Sequence, residues 1–449
     1  MSRLFGTDGI RGVANIELTP ELAFNIGKVS TYLLGKNSEK PLILIGKDTR
    51  LSGDLLENAL CAGIMSMGGN VYKAGVIPTP AVAYLVRHMK ADAGVMISAS
   101  HNTFEFNGIK IFSGEGFKLD DDLEDEIEDI IVRDMDLNGH ISGSGIGHCS
   151  GSEEDAARIY GEFLKNTADI NLKGMKIVID CANGASHIIA EKVLKDMGAE
   201  VVVTCNEPDG ININEKCGST HPEALQLRVV QEQADIGLAF DGDADRLISI
   251  DEKGRVIDGD KMIYICAKML KARGRLIGDK VTVTVMSNIG FHKAMDSIGA
   301  TVDTTSVGDR YVLERMLETG CVIGGEQSGH IIFLEHSTTG DGILSALQLL
   351  TALKLSGEKL SELADEVVIY PQVLRNAAVK NENKKKYLID PEIAAEIERI
   401  EKLMEGDGRV LIRPSGTEPL VRVMIEGKEL AAITGLAEGL ADLITKKMA

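Results

Sequence analysis

The sequence of 449 residues has no CxxC pair, only 10 prolines, no low-complexity tract and fewer basic than acidic side chains. No apolar run in it approaches the ~20 residues of a membrane span. Each shortage removes a class of protein. The seven cysteines (Cys61, Cys149, Cys181, Cys205, Cys217, Cys266, Cys321) are odd in number and lack metal-site spacing, so they read as reduced thiols rather than a disulfide framework or a zinc site. The start, Met1-Ser2-Arg3-Leu4-Phe5-Gly6, leads into polar turn residues where a signal peptide would carry its apolar segment, so a cytoplasmic protein is expected. With 48 Lys and Arg against 68 Asp and Glu, the formal charge of -20 argues against nucleic acid or an anionic membrane as partner. An anionic small ligand would need a locally basic pocket.

What is present is a folded composition, 44% hydrophobic and 26% charged, in a chain long enough for about three domains at roughly 150 residues each. One pattern occurs three times. An apolar strand (LILIG at 42–46, KIVID at 176–180, VTVTV at 281–285) runs into a turn, a helix, a glycine stop and another strand. In the second copy Ile189, Val193 and Met197 form one buried stripe of a helix; in the third, Phe291, Ala294, Met295 and Ile298 do. Gly68, Gly198 and Gly299 end the three helices, and β-branched residues resume after the last two in VVVT and TVDTTSV. Strand, helix, strand is a βαβ crossover, so each copy is expected to carry a largely parallel sheet covered by helices.

Each copy continues into a short strand that breaks into a polar loop and returns: GVMISASHNTFEFNGIKIF, GLAFDGDADRLISID and CVIGGEQSGHIIF. In open α/β sheets, ligand-binding residues gather beyond the carboxyl ends of strands, so three chemically different loops at equivalent places imply one composite site in a cleft. After about Val368 the pattern changes to VVIYPQVL, a Lys/Asn-rich loop from Lys380 to Lys386, a helix capped by Asp390 with Pro391 in its first turn, and a hairpin RVLIR-PSGTEP-LVRVMIEG before a closing helix. The expected fold is α/β: three similar mixed-sheet domains (1–150, 151–253, 254–368) and a smaller C-terminal α+β domain (369–449) around a central cleft. The acidic run from Asp120 to Asp129 reads as a solvated helix face with Leu123, Ile127, Ile130 and Ile131 on its buried side.

The loops differ in chemistry. In DGDADR, Asp241, Asp243 and Asp245 project to one side of an extended loop, where hard oxygens can converge on a cation such as Mg²⁺. Calcium in an EF-hand does not fit, because the loop has Arg246 where the sharp turn needs glycine, and LISID alternates like a strand where a helix is required. In SASHN, Ser100 sits at a strand-to-loop break beside His101, with Lys110 a few residues on; a serine hydroxyl there needs a base or metal to become a nucleophile, and no GxSxG elbow is present. In RPSGTEP, backbone N–H groups around Ser415, Gly416 and Thr417, with Arg413 and Arg422, suit a phosphate dianion. In GGEQSGH, Glu326, Ser328 and His330 offer the donors and acceptors that sugar hydroxyls require.

These four loops, in this order and from FGTDGIRG to RPSGTEPLVRV, resemble the α-D-phosphohexomutase superfamily, most closely the bacterial phosphoglucosamine mutases. The resemblance implies that the four domains supply the active serine, metal, sugar and phosphate loops in turn. It implies a phosphoryl group carried on Ser100, a Mg²⁺ held by Asp241, Asp243, Asp245 and a phosphoserine oxygen, and sugar recognition by Glu326, Ser328 and His330 with the VGDRYV loop (Gly308, Asp309, Arg310). Arg11, His101, Lys110 and Arg246 fall at proton-transfer and charge-stabilising places, and Arg413, Ser415, Gly416, Thr417 and Arg422 at the phosphate loop. The implied activity interconverts glucosamine 6-phosphate and glucosamine 1-phosphate through glucosamine 1,6-bisphosphate, feeding UDP-N-acetylglucosamine and cell-wall synthesis. A phosphomannomutase or phosphoglucomutase of the same superfamily is the alternative. A phosphatase using Asp241 as nucleophile, or a calcium module or sugar-phosphate sensor, would not need Ser100. A homodimer is left open. Thr103 and Ala244 depart from the usual proline and glycine of the serine and metal loops.

Overall fold

The three apolar runs are the strands Leu42–Lys47, Lys176–Asp180 and Lys280–Thr284, each interior to its own sheet. The computed structural model describes residues 4–6, 8–135, 137, 141–415 and 418–449. They divide into two compact units, Met1–Met286 with Ala300–Asp365 and Ser287–Gly299 with Glu366–Ala449.

In the first unit the three repeats share one topology. The strand after the first helix (Asn70–Val76, Glu200–Thr204, Thr301–Thr305) pairs parallel on one side of the first strand. A third strand (Ala93–Ile97, Ile236–Phe240, Ile323–Gly325) pairs parallel on the other. A fourth (Phe106–Ser113, Leu247–Asp251, Ile331–Phe333) returns antiparallel to the third. The interior strands are buried along most of their length because helices cover both faces: Ile43, Leu44 and Ile45 are all fully buried. The mixed sheets have seven, five and four strands. The first gains its extra strands from Phe5–Gly6, Gly9–Val13 and Cys149–Ser150. Gly68, Gly198 and Gly299 all stand at positive φ (81°, 99° and 67°), one residue past the helix caps, where a side chain would be strained.

The acidic run folds as helix Asp121–Val132; Asp120 caps it by accepting from Leu123 N at 2.8 Å, and Ile127 and Ile130 are buried. The apolar helix Gly342–Ser356 is buried over most of its length and is capped by Asp341, which accepts from Leu344 N. No described helix is long and apolar enough to cross a membrane.

The second unit is an antiparallel sheet in the order Gln372–Ala378, Leu420–Gly427, Gly408–Pro414, with helices Pro391–Leu403 and Leu430–Met448. Its core includes Val373, Ile393, Ile400, Val423, Ile425, Leu440 and Ile444. Asp390 caps the first helix by accepting from Glu392 N and Ile393 N. Helix Ile289–Ser297, which follows the first strand of the third repeat in sequence, belongs to this unit. Local chemistry accounts for it: Asn288 exchanges hydrogen bonds with Tyr370, whose N–H donates to the Asn288 side chain and whose carbonyl accepts from it (2.9 Å each), while Glu426 accepts from Ile289 N.

Candidate active site

In each repeat of the first unit the polar loop joins the third strand to the antiparallel fourth, and each loop contains a residue in the left-handed region: Ser100 (φ 53°), Ala244 (φ 54°) and Gly329 (φ 90°). A left-handed residue reverses the chain sharply and turns side chains off the end of the sheet, at a cost for Ser and Ala of about 1–2 kcal/mol. At Ala244 that conformation is the one the more usual glycine would adopt freely. The loops also interlock through backbone. Leu247 N donates to Gly329 O (3.0 Å), Gly342 N to Ala244 O (2.9 Å) and Thr79 N to Asp243 O (2.9 Å). Gly242 lies so close to the serine loop that a Cβ there would stand 2.5 Å from Ser100 O.

Ser100 is 1% exposed, and its hydroxyl donates to Asp241 Oδ2 at 2.6 Å. Its other neighbour is His101 Nδ1 at 3.4 Å. Carboxylate oxygens of Asp241, Asp243 and Asp245 lie within 4.8 Å of one another, all buried. Burial and the two neighbouring carboxylates push Asp241 well above its ordinary range. Burial also acts on Asp245, but Lys110, His330 and Arg246 outweigh it and hold that carboxyl well below. Lys110 reaches Asp243 Oδ2 (2.9 Å), Asp8 Oδ2 (3.0 Å) and Asp245 Oδ2 (3.3 Å); although burial opposes its charge, these partners raise it well above the usual lysine value.

Asp243 Oδ1 and Asp245 Oδ1 are buried and have no hydrogen-bond partner among the described residues. Orphaned carboxylate oxygens are costly to bury, and three converging hard donors with two such atoms fit a divalent cation.

A cavity of about 520 Å³ opens beside this centre, lined by residues of the N-terminal segment (Asp8, Arg11), the serine and metal loops (His101, Asp245, Arg246), the 307–309 turn, Glu326 and His330. Lys118 joins Asp309 (2.6 Å) and Asp8. His330 stands 3.6 Å from Asp245 Oδ2 and 3.5 Å from Asp309 Oδ2; burial disfavours its charge, but those two carboxylates raise it above the usual imidazole value. Gly308 N donates to Glu326 Oε1 at 3.2 Å, tying two loops together. Burial, with Arg246 and Arg11, lowers His101 below its ordinary value. Thus Arg11, Ser100, His101, Lys110, Arg246, the three aspartates, Gly308, Asp309, Glu326 and His330 are gathered in one region.

Ser328 is exposed on its loop. The Arg310 guanidinium is committed to Glu124 (2.8 Å), Leu119 O (3.1 Å) and Asp121. Arg413 and Arg422 belong to the second unit and sit directly opposite each other across the hairpin. Like charges at such a pair are unfavourable unless an anion relieves them, and burial together with Arg422 lowers Arg413 below the usual arginine value. Ser415 Oγ accepts from Glu418 N at 3.1 Å. Gly416 and Thr417 lie outside the described residues.

Sequence reasoning missed the residues that hold the serine loop. Arg50 is fully buried; it donates to the carbonyls of Ser100 (3.0 Å), Asn102 (2.8 Å), Phe106 (3.0 Å) and Thr103, and to Asp48 Oδ2 (2.9 Å). Asp48 accepts from Ser98 Oγ (2.6 Å), which in turn accepts from Ser100 N (2.9 Å). Asn214 of the second repeat donates to the carbonyls of Ser100 and Asn102, both at 2.9 Å. The available signal was the DTR run just past the carboxyl end of Leu42–Lys47, where functional residues of such sheets collect.

Four models of the phosphoglucomutase/phosphomannomutase family match in order: α/β/α domain I at 2–137, domain II at 158–254, domain III at 258–370 and the C-terminal domain at 374–443. A phosphoglucosamine mutase of Thermoanaerobacter sp. (strain X514) is 58% identical over 448 residues, covering both chains completely. The chain belongs to the phosphoglucosamine mutases of this family. A crystal structure of a phosphoglucomutase/phosphomannomutase family protein from Burkholderia thailandensis shares the fold with a TM-score of 0.82 at 24% identity, covering 99% of this chain and 98% of that one. An Aspergillus fumigatus N-acetylphosphoglucosamine mutase, solved with GlcNAc-6P and magnesium, has a TM-score of 0.68 at 18% identity, covering 99% and 96%.

Proposed function

We propose that this enzyme is an intramolecular phosphotransferase that interconverts glucosamine 6-phosphate and glucosamine 1-phosphate, with Ser100 carrying the transferable phosphoryl group and glucosamine 1,6-bisphosphate as the intermediate. The observation that carries the reading is the Ser100 hydroxyl held 2.6 Å from Asp241 at the edge of a buried carboxylate triad. Asp241, Asp243 and Asp245 would hold magnesium, which supplies positive charge beside the seryl oxygen.

The chain's own groups do the rest. Lys110, Arg246 and Arg11 offset the charge of the transferring phosphoryl group, which is the main requirement of phosphoryl transfer. His101, kept neutral by its surroundings, accepts or returns the proton of the sugar hydroxyl. Asp309, Glu326 and His330 orient the sugar, with Gly308, Ser328 and Arg310 in the same two loops. Arg413, Ser415 and Arg422, with Gly416 and Thr417, bind the phosphate that is not being transferred; paired arginines recognise a dianion whichever carbon bears it. Domain boundaries near 150, 253 and 368 suit this division of labour.

Intact-mass analysis of the purified protein should find an added phosphate that maps to Ser100. Ser100→Ala should lose both that label and turnover, by about 10⁴-fold or more. Ordinary turnover without the hydroxyl would sink the assignment. Comparing kcat/KM on glucosamine, mannose and glucose 6-phosphates tests the choice of sugar.

A further inference from the structure

Away from the cavity, Cys205 and Cys217 lie together with Asp180. The two sulfur atoms and a carboxylate oxygen of Asp180 all lie within 4.8 Å of one another, although residues 206–216 separate the cysteines in sequence. Cys205 follows strand Glu200–Thr204 at φ 49° and is half-buried, the more accessible of the two cysteines. Cys217 is 1% exposed. A hydrogen bond from Cys217 lowers the Cys205 thiol below its ordinary value against the effect of burial, and the same bond raises Cys217. By contrast burial pushes Cys61 and Cys266 up to about 12 and raises Cys181 and Cys321. One partly accessible sulfur inclined to thiolate, beside a buried thiol, is the arrangement of an attacking and a resolving cysteine.

A metal suits the cluster less well. Among the described residues it offers three donors, and both Asp180 oxygens already accept backbone N–H groups, from Ala182 (2.8 Å) and Gly218 (2.9 Å).

The segment that carries Cys217 is tied on both sides to the serine and metal loops. Asn214 holds the Ser100 and Asn102 carbonyls, and Ser219 N donates to Phe240 O (2.9 Å), immediately before Asp241. Cys217 lies between these two anchors. We propose that Cys205 and Cys217 form an oxidisable dithiol whose conversion to a disulfide by peroxide shifts the 212–219 segment and slows the enzyme reversibly. The Cys205 thiolate attacks one peroxide oxygen; the O–O bond breaks, hydroxide leaves and is protonated to water, and Cys205 becomes a sulfenic acid. Cys217 sulfur then attacks the Cys205 sulfur, giving up its proton as hydroxide leaves, so a second water forms with the S–S bond. Two thiols lose two electrons and one peroxide gains them.

The test uses the full chain in a Cys149→Ser background, because the exposed Cys149 hydrogen-bonds Cys61 and offers a competing pair. After hydrogen peroxide, peptide mapping should find Cys205 joined to Cys217, turnover should fall about tenfold or more as the serine loop is displaced, and dithiothreitol should restore it. Cys205→Ser, or Cys205→Ala should the serine variant fold poorly, should keep its turnover under the same treatment. The proposal is overturned if no cross-link forms at peroxide levels that oxidise Cys149 of the parent, or if it forms with turnover unchanged. Stoichiometric zinc uptake by the parent, lost in Cys205→Ser and without a cross-link, would instead make the cluster a metal centre. The cross-link is read without any sugar, so its absence does not bear on the mutase assignment.

Discussion

The serine loop and the RPSGTEP hairpin are held in opposite ways. Ser100 is buried, and its loop is fixed by a buried guanidinium that gathers four carbonyls and by an asparagine from the next repeat. In the hairpin Arg422 is 41% exposed and pairs only loosely with Glu418 (3.3 Å), and Arg413 faces it across the strands. Under the proposed function the reacting hydroxyl is thus held by fixed partners, whereas the two arginines proposed to bind phosphate face each other with little else to hold them. A phosphoryl-transfer centre gains most from preorganisation, whereas a clamp that serves two phosphate positions gains from being open.

The largest expected effect tests the rigid side. Arg50→Ala removes one donor from Asp48 and from four carbonyls of the serine loop, leaving that loop to the Ser98 and Asn214 contacts, so it should drift by roughly a fraction of an ångström to an ångström. Turnover should fall by about 100-fold with little change in KM, since misplacement affects the chemical step. The checks are steady-state kinetics and the rate of Ser100 phosphorylation by bisphosphate. Arg50→Lys, which keeps the charge but not the fork, should recover only part of the loss. If KM rises and kcat holds, the guanidinium acts on substrate and the contrast between the two loops collapses.

The open side predicts a different signature. Arg413→Ala and Arg422→Ala each remove charge-assisted hydrogen bonds to a dianion, worth about 1.5–3 kcal/mol. KM should therefore rise about tenfold or more for glucosamine 6-phosphate and glucosamine 1-phosphate alike. Measuring both isomers sharpens the comparison, because an effect confined to one would mean that the two orientations use separate clamps. Binding of inorganic phosphate should weaken in parallel.

What is legible in the sequence follows the same division. Strands, glycine stops and the Asp390 cap were readable because each is decided by neighbours within a few residues: Gly198 takes φ 99° at the helix end and Asp390 accepts from Glu392 N and Ile393 N. The Asp241, Asp243, Asp245 cluster was readable because its chemistry is in the residue types. Arg50 was not, since its partners are backbone carbonyls some fifty residues on, and any sequence supplies carbonyls. Nor does spacing say which way Arg310 turns; its guanidinium meets Glu124, and only the packing of the acidic helix decides that. The grouping of helix Ile289–Ser297 with the C-terminal sheet likewise rests on Asn288, Tyr370 and Glu426, which are far apart in the chain.

The smallest expected effect concerns His101, at the border between the buried loop and the cavity. Burial lowers its pKa first, then Arg246 and Arg11, so in the folded protein it titrates below 6.5. The sign follows: the unfolded chain takes up the proton more readily, so this group's contribution to stability is present above the unfolded value and is lost as pH falls through the folded one. An NMR titration of the His101 ring should give a midpoint below that of an unfolded peptide. Arg246→Gln should move the midpoint upward, because one of the two cations opposing protonation is gone while Asp245 and Asp243 remain. A midpoint at or above 6.5 in the parent would mean that the carboxylates dominate the ring's surroundings. His101 would then enter the reaction as an acid, and the role of neutral base would pass to another group in the cavity.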